Sequence, residues 1–259
     1  MPTGLGGEQL WISATNDNTG TSTAFSDQSG NGNNGTASGT TVVVDATSGG
    51  TYAFDFDGIS DCITTTYAPT STTSTGVFSM ACWVKYDSVA ASAGLMSGNI
   101  QTGRTGLNIS WDTYSSARGH IAMLNPNVTS QYSGRVFAGD RDTTLTGQWY
   151  HVAYTGDGTT SRLYVDGSEV ANDLFSGFSA NAWNKPLQFG RYITGTNTAG
   201  GHLDGRLDDL RFFTRTIAQE EITYLATSRG IEGTPGGENY SPFRNAKYIN
   251  KTYQIPRFG

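Results

Sequence analysis

Residues 201–226, GHLDGRLDDLRFFTRTIAQEEITYLA, predict a strand that runs without a loop into a short helix. In the strand, residues 207–213, side chains should alternate between two faces. Alternation places Leu207 on the face opposite Leu210 and Phe212, and it turns the adjacent acids Asp208 and Asp209 in opposite directions. The stretch therefore predicts a two-faced strand at the end of a β domain.

The helix that follows has its own start and stop signals. Thr216 followed three residues later by Gln219 is a capping-box pattern, and a glycine at position 230 favours a left-handed stop. An amphipathic helix needs one apolar stripe. That stripe is formed by Ala218, Ile222 and Leu225.

Four earlier segments belong with this stretch, because the five together resemble one known fold. They are SDQSGNGNNGTASG (26–39), YAFDFDGISDCITT (52–65), FSMACWVKYD (78–87) and GQWYHVAYTGDGTTSRLYVDGSEVA (147–171). Together, and in this order, the five resemble the laminin G-like, concanavalin A-like jelly roll. The resemblance implies an all-β fold, an antiparallel two-sheet jelly-roll sandwich with one short C-terminal helix. It implies no single function, because this fold hosts lectins, adhesion modules, hydrolases and structural parts.

Length and composition favour one large domain with a tail. The chain has 259 residues, 34 glycines and only 15% charged residues, which favours short strands and many turns. We expect a jelly-roll domain over residues 1–230 and an extended C-terminal arm over residues 231–259. The net charge of −6 argues against nucleic acid as a main partner. No apolar run approaches a membrane span of about 20 residues, and the start of the chain predicts no signal peptide.

Strand signals recur along the whole domain. Alternating or apolar runs bounded by turn residues predict strands at 9–13, 41–45, 52–56, 62–65, 77–86, 149–154, 162–165 and 187–192. Neither face of 77–86 is strongly polar, so we expect a central strand. Cys62 and Cys82 both fall in predicted strands. We expect two buried free thiols, with an inter-strand disulfide as the alternative.

A turn-rich loop gathers several oxygen-bearing side chains. Asp27, Asn31 and Asn33 lie close together in the sequence, and calcium prefers six to eight oxygen ligands. The resemblance implies that the closing strand would contribute Asp208 or Asp209. These residues are therefore candidate ligands of a structural calcium, and an ion-free network of Asx turns is the other interpretation of the loop.

Catalytic patterns are missing from the sequence. A jelly-roll glucanase pattern would place two glutamates around an aspartate on one strand, as the resemblance implies. None of the six glutamates lies in such a triplet, and Asp55-x-Asp57 is the only in-strand acidic pair with this spacing. The three histidines lack metal-ligand spacing. We expect no catalysis.

Two binding functions remain. Aromatic platforms near loops favour a lectin-like sugar site at Trp111, Tyr114, Trp183 and Tyr192. The arm interleaves bases and aromatic rings without acids over residues 240–259, a composition that suits docking on a protein partner. Its candidate contact residues are Tyr240, Phe243, Arg244, Lys247, Tyr248, Lys251, Tyr253, Arg257 and Phe258. The preferred hypothesis is a non-catalytic structural protein of a larger oligomeric assembly, a virion decoration or capsid-associated protein on a particle surface. A calcium-dependent carbohydrate-binding module is the alternative.

Overall fold

A computed structural model gives the architecture of the chain. It describes residues 5–15, 23–45, 47, 52–69, 75–88, 92–98, 106–110, 120–124, 136–137, 146–174, 185–193, 199–227 and 229. The strands are β1 (Glu8–Ile12), β2 (Ala24–Phe25), β3 (Gly35–Ser38), β4 (Thr41–Val44), β5 (Tyr52–Asp57), β6 (Cys62–Thr65), β7 (Val77–Tyr86), β8 (Ser92–Ser97), β9 (Gly106–Ser110), β10 (His120–Leu124), β11 (Val136–Phe137), β12 (Trp149–Asp157), β13 (Thr160–Val165), β14 (Ser168–Leu174), β15 (Gln188–Phe189), β16 (Tyr192–Ile193), β17 (Ala199–Gly200) and β18 (Asp204–Phe213). The described helix is α1 (Gln219–Leu225).

The strands form two large antiparallel sheets and a small ribbon. Sheet A has the order β14-β13-β12-β7-β18-β5-β4, with β1 also paired to β18. Sheet B has the order β11-β10-β9-β8-β15-β6-β3-β2, and β16 pairs with β17. This arrangement confirms the predicted antiparallel jelly-roll sandwich and the central position of β7. No helix in the described part of the chain has the length and apolarity of a membrane span.

The main core lies between the two sheets. Sheet A contributes Phe54, Phe56 and Phe212, and sheet B contributes Phe25, Ile63 and Phe189, all at most 2% exposed. The rings of Phe25 and Phe54 meet across the sheets with centroids 4.7 Å apart. Both cysteines are buried and free, as the sequence indicated. Each buried aromatic ring removes a large apolar area from water, so this layer holds the two sheets together.

The closing strand breaks the predicted alternation. Against β7, Asp208 pairs with Trp83 and Arg211 pairs with Ala81, so three steps along β18 match two along its neighbour. The extra residue is a β-bulge, and Asp209 has a φ of +52° there. As a result Leu207, Leu210 and Phe212 all enter the main core. The prediction of Leu207 on the opposite face was wrong.

Two boundaries also differ from the sequence prediction. The cap of α1 is Ala218, whose backbone N–H donates to Glu221 Oε2 at 2.7 Å, so the predicted Thr216–Gln219 box was wrong. Thr216 instead donates its hydroxyl to Gly156 O. The predicted strand at 187–192 divides into β15 and β16, because Gly190 turns the chain with a φ of +80°.

Candidate functional site

The face of sheet B that points away from the core carries polar side chains. Ile63, Met96 and Phe189 point into the core, so their neighbours in each strand point outward. Four of these outward residues pair across β3, β6, β15 and β8 in succession. They are Thr36, Thr64, Gln188 and Ser97, and we call them the polar row. The row crosses the middle of the sheet at right angles to its strands.

Much of the hydrogen-bonding capacity of the polar row is unused. Thr36 is exposed, while Thr64 and Gln188 are half-buried. Within the described residues, neither threonine hydroxyl has a hydrogen-bond partner. Ser97 is buried and donates its hydroxyl to Arg191 O at 3.0 Å, and Gln188 Oε1 accepts from Arg191 Nε at 2.6 Å. Two hydroxyls and the Gln188 amide nitrogen are therefore available to a ligand.

The two sheets differ sharply in charge. The strands of sheet B contain no Asp, Glu, Lys or Arg, whereas those of sheet A contain many, from Glu8 in β1 to Arg211 in β18. Hydroxyl and amide groups both donate and accept hydrogen bonds, and they cost less to desolvate than charges do. The polar row therefore suits a ligand rich in neutral polar groups.

The outer face of sheet A is closed by apolar packing. Helix α1 and the segment before β1 lie against it and form a second buried cluster. Its members are Leu5, Ala81, Ala153, Tyr164, Phe213, Ile217, Ile222 and Leu225. Trp83 Nε1 also donates to Leu225 O at 3.2 Å, which ties the end of the helix to β7. In the described part of the protein, α1 and the segment before β1 therefore cover the part of this face that these residues form.

A buried ion cluster completes that closure. Arg211 donates to Glu8 Oε1 at 2.7 Å and to Asp209 Oδ1 at 3.0 Å, and its guanidinium lies 3.9 Å from the centre of the Trp11 ring. Trp11 Nε1 donates to Asp209 Oδ1 at 2.6 Å. All four side chains are buried. A buried charge is tolerated only when it is paired and hydrogen-bonded, so we interpret these contacts as ones that stabilise the fold.

Arg229 fixes the chain beyond α1 to the same face. Its guanidinium stacks 3.8 Å from the Trp149 ring, and it donates to the backbone oxygens of Asp45 and Thr47. Arg229 Nη1 lies 4.0 Å from Asp208 Oδ2. Burial, with a smaller contribution from the charge of Asp209, raises the pKa of Asp208 to about 7. Arg229 thus sits where the predicted arm begins.

His151 is not placed to act as a base. It is 1% exposed and lies edge-on to Trp83, with ring centroids 5.5 Å apart. Burial, together with the nearby positive charge of Arg211, lowers the pKa of His151 to about 3. The imidazole is therefore neutral at physiological pH and shielded from solvent.

The predicted calcium residues are bound to protein groups. Asp27 accepts from the backbone N–H groups of Trp11, Ser29 and Asn33, so both of its carboxylate oxygens have donors. Asn31 and Asn33 donate their amides to the carbonyl oxygens of β1. This is the network of Asx turns that the sequence left open as an alternative.

The two predicted calcium residues of the closing strand make protein contacts as well. Asp208 Oδ1 accepts from the backbone N–H groups of Ala14 and Asp209. Asp208 Oδ2 is buried without a hydrogen-bond partner among the described residues, but the Arg229 guanidinium lies beside it. A neighbouring cation disfavours a second one, so the five side chains do not present a shared shell of free oxygens. Calcium stays a prediction.

The acidic pair of β5 also has structural partners. Asp55 accepts from Arg206 Nε at 2.9 Å. Asp57 accepts from the backbone N–H groups of Ile59, Ser60 and Asp61, and these bonds lower its pKa. Both carboxylates are therefore occupied in holding the sheet and the β5–β6 turn.

The predicted sugar-binding and partner-binding residues cannot be placed. Trp111, Tyr114, Trp183 and every candidate residue of the arm lie outside the described residues, and of Tyr192 only the backbone, in β16, is described. The polar row was missed by sequence reasoning, which looked for exposed aromatic rings. A readable signal existed, because no strand of sheet B contains an acid or a base other than His120.

Comparison with solved structures found the same fold in sugar-related and receptor-binding domains. Domain 4 of AbnA, a GH43 extracellular arabinanase from Geobacillus stearothermophilus, solved in complex with arabinotriose, is 17% identical with a TM-score of 0.59; the match covers 85% of this chain and 98% of that one. The binding domain of Paraclostridial Mosquitocidal Protein 1 is 14% identical with a TM-score of 0.60, covering 85% and 52%. The binding domain of botulinum neurotoxin DC in complex with SialylT is 14% identical with a TM-score of 0.56, covering 85% and 51%. This chain spans about half the length of the two toxin binding domains.

Comparison by sequence identifies the family. No curated protein sequence matches significantly. A family model described as the concanavalin A-like lectin/glucanases superfamily matches residues 57–223, which is more than half of the 259 residues. The matched region runs from the end of β5 into α1 and includes most of both sheets. The chain therefore belongs to the concanavalin A-like lectin/glucanases superfamily, in its laminin G-like branch.

Proposed function

We propose that this protein is a non-catalytic carbohydrate-binding module whose ligand lies on the outer face of sheet B. The observation that carries the proposal is the polar row, an uncharged line of hydroxyl and amide groups across four paired strands. Sugar hydroxyls both donate and accept, as Thr and Gln side chains do, so the two surfaces are chemically matched.

The rest of the molecule supports this choice of face. Part of the outer face of sheet A is covered by α1 and the segment before β1, and Arg211 is paired there with Glu8 and Asp209 in buried contacts. The described carboxylates of β5 are bound to protein groups rather than placed opposite each other across a cleft. Relatives in fold that were solved with arabinotriose and with SialylT show that such a sandwich is compatible with sugar binding.

A glycan array followed by titration tests the proposal. The full chain should bind a glycan class, and Thr64→Val should weaken that binding because it removes one hydroxyl while keeping the side-chain shape. A lost neutral hydrogen bond costs about 1 kcal/mol, roughly a fivefold change in Kd. Thr41→Val is the matched control, because Thr41 is an exposed strand threonine on sheet A. Binding to no glycan, or equal effects of the two variants, would reject the proposal.

Calcium dependence is a separate part of the proposal. The predicted calcium ligands are hydrogen-bonded to protein groups and none of them belongs to the polar row, so we expect sugar binding there to be independent of calcium. Titrations with and without a chelator measure this directly. A glycan affinity that disappears in the chelator would show that a metal is required.

A second function, membership of a larger assembly, is favoured by the composition of the arm. Residues 240–259 contain four bases, five aromatic rings and no acid, whereas the whole chain has a net charge of −6. We propose that the arm anchors the domain to a particle such as a virion. Deletion of residues 231–259 should leave a folded domain that no longer joins the particle, and co-sedimentation with the particle measures it. A truncated chain that still co-sediments would reject the anchor.

A further inference from the structure

We infer that the glycan bound by the polar row carries a carboxylate, and that Arg191 is the residue that binds it. This inference rests on the proposed function and specifies its ligand. Arg191 is half-buried and its guanidinium lies beside Gln188 of the polar row, with its Nε donating to Gln188 Oε1 at 2.6 Å. Its position is thus defined by the same residue that pairs with Thr64 and Ser97.

The backbone of Arg191 is held as firmly as its side chain. Its carbonyl oxygen accepts from Ser97 Oγ at 3.0 Å, and the preceding Gly190 turns the chain with a φ of +80° directly above the Phe56 ring. A Cβ at position 190 would lie 2.2 Å from Phe56 Cε1, so no other residue type fits without displacement. Packing of Gly190 against Phe56 in the core therefore fixes the turn that places Arg191 beside sheet B.

The cation has no counter-charge in the described structure. Every arginine of β13 and β18, and both Arg215 and Arg229, has a carboxylate within 4.0 Å. Arg191 has no such carboxylate among the described residues. Its side-chain hydrogen bond there is to the neutral amide of Gln188. Its two terminal nitrogens therefore have no partner among the described residues and can bind a ligand.

The chemistry of the free group selects the ligand class. A guanidinium presents two parallel N–H donors in a plane, and this fork matches a carboxylate bidentately. The other cation that flanks β15, Lys185, is exposed and lies at the opposite end of the strand. A sugar acid, such as a uronic or sialic acid residue, would place hydroxyls on Thr36 and Thr64 and its carboxylate on Arg191.

Matched pairs of probes separate this inference from the proposed function. The full chain is titrated with sialyllactose against lactose and with trigalacturonic acid against galactotriose, so that each pair differs by carboxylates. We expect at least one acidic probe to bind about 10- to 100-fold more tightly than its neutral partner, the range expected for a charged hydrogen-bonded pair. Equal binding of both members of each pair would overturn the carboxylate but leave sugar binding intact. If no sugar binds, both ideas fail.

Substitutions then assign the contact to one residue. Arg191→Gln should reduce the affinity for the acidic probe to that of its neutral partner, so that the ratio of the two affinities falls to about one. Arg191→Lys should recover only part of the loss, because an ammonium lacks the planar fork. Lys185→Gln, which removes a cation from the other end of β15, is the control. An equal effect of Lys185→Gln and Arg191→Gln would overturn the assignment, as would a sulfated probe that binds as tightly as the carboxylate. Unchanged melting curves confirm that the variants are folded.

Discussion

Removal of Arg211 should destabilise the protein far more than removal of any surface arginine. Arg211 is 1% exposed and links Glu8 and Asp209, which are themselves buried. The change Arg211→Met keeps much of the side-chain volume but leaves two carboxylates without their cation. Breaking a buried ion pair by removing one partner costs about 3–5 kcal/mol. The stack on Trp11 at 3.9 Å is lost as well, so we expect the upper part of this range.

Arg162→Met is the matched control. Arg162 lies on the same sheet and pairs with Asp157 at 3.1 Å, but both side chains are 34% exposed. An exposed pair of this kind contributes about 0–1 kcal/mol. The free energy of unfolding of both variants is measured by urea denaturation at neutral pH, with unchanged m values as the sign that both unfold in one step.

Two outcomes of these denaturation experiments would contradict the role assigned to Arg211. A loss in Arg211→Met that is no larger than the loss in Arg162→Met would show that the cluster does not hold the outer face of sheet A. Combining Arg211→Met with Glu8→Gln and Asp209→Asn should recover part of the stability, because no unpaired charge then remains buried. A triple variant as unstable as the single one would show that shape, rather than charge, is what Arg211 provides.

Three further outcomes are expected. Gly190→Ala should lower the free energy of unfolding by about 2–5 kcal/mol, because the variant combines a positive φ with a clash on Phe56. The control Gly30→Ala has a φ of +85° but open space around the new Cβ, so it should lower the free energy of unfolding by about 1 kcal/mol. Equal unfolding free energies of the two variants would contradict this reasoning. His151 has a folded pKa of about 3, below its unfolded value of 6.5, so its contribution to stability is present above pH 6.5 and is lost as the pH falls, by at most about 5 kcal/mol. Stability measured from pH 7 to 4 should therefore fall less in His151→Gln than in the parent protein. Asp208 has the opposite sign, because its folded pKa is raised to about 7: the contribution of this group to stability is fully present below about pH 4 and is lost as the pH rises to about 7. An Asp208→Asn variant with the same pH dependence of stability as the parent protein would contradict the assignment.

The fold could be read from the sequence because its signals are local. Alternation and turn residues marked the ten-residue strand β7 and the hairpin from β12 to β13 close to their observed bounds. The bulge of β18 could not be read, because its positive φ falls on Asp209 rather than on a glycine. One extra residue reverses the faces on one side of the bulge relative to the other, so the predicted placement of Leu207 opposite Leu210 and Phe212 failed. The helix start failed because the capping partner is Glu221 acting on the Ala218 backbone.

The candidate site was harder to predict than the fold. The polar row joins β3, β6, β15 and β8, which are distant in sequence, and β15 has only two residues. Threonine and glutamine in such short strands form no recognisable sequence pattern, because only the pairing of distant strands brings these residues together. The calcium hypothesis illustrates the reverse problem. Asp and Asn in a turn-rich loop satisfy backbone donors as readily as they bind metals, and the sequence does not separate the two.

Mapping where a sugar binds tests the role of the polar row most directly. Amide chemical shifts of the isotope-labelled full chain are followed by NMR during titration with the tightest glycan from the array. The largest shifts should fall on Thr36, Thr64, Gln188 and Arg191, on the outer face of sheet B. Shifts concentrated on α1 and β13, on the side of sheet A, would contradict this role.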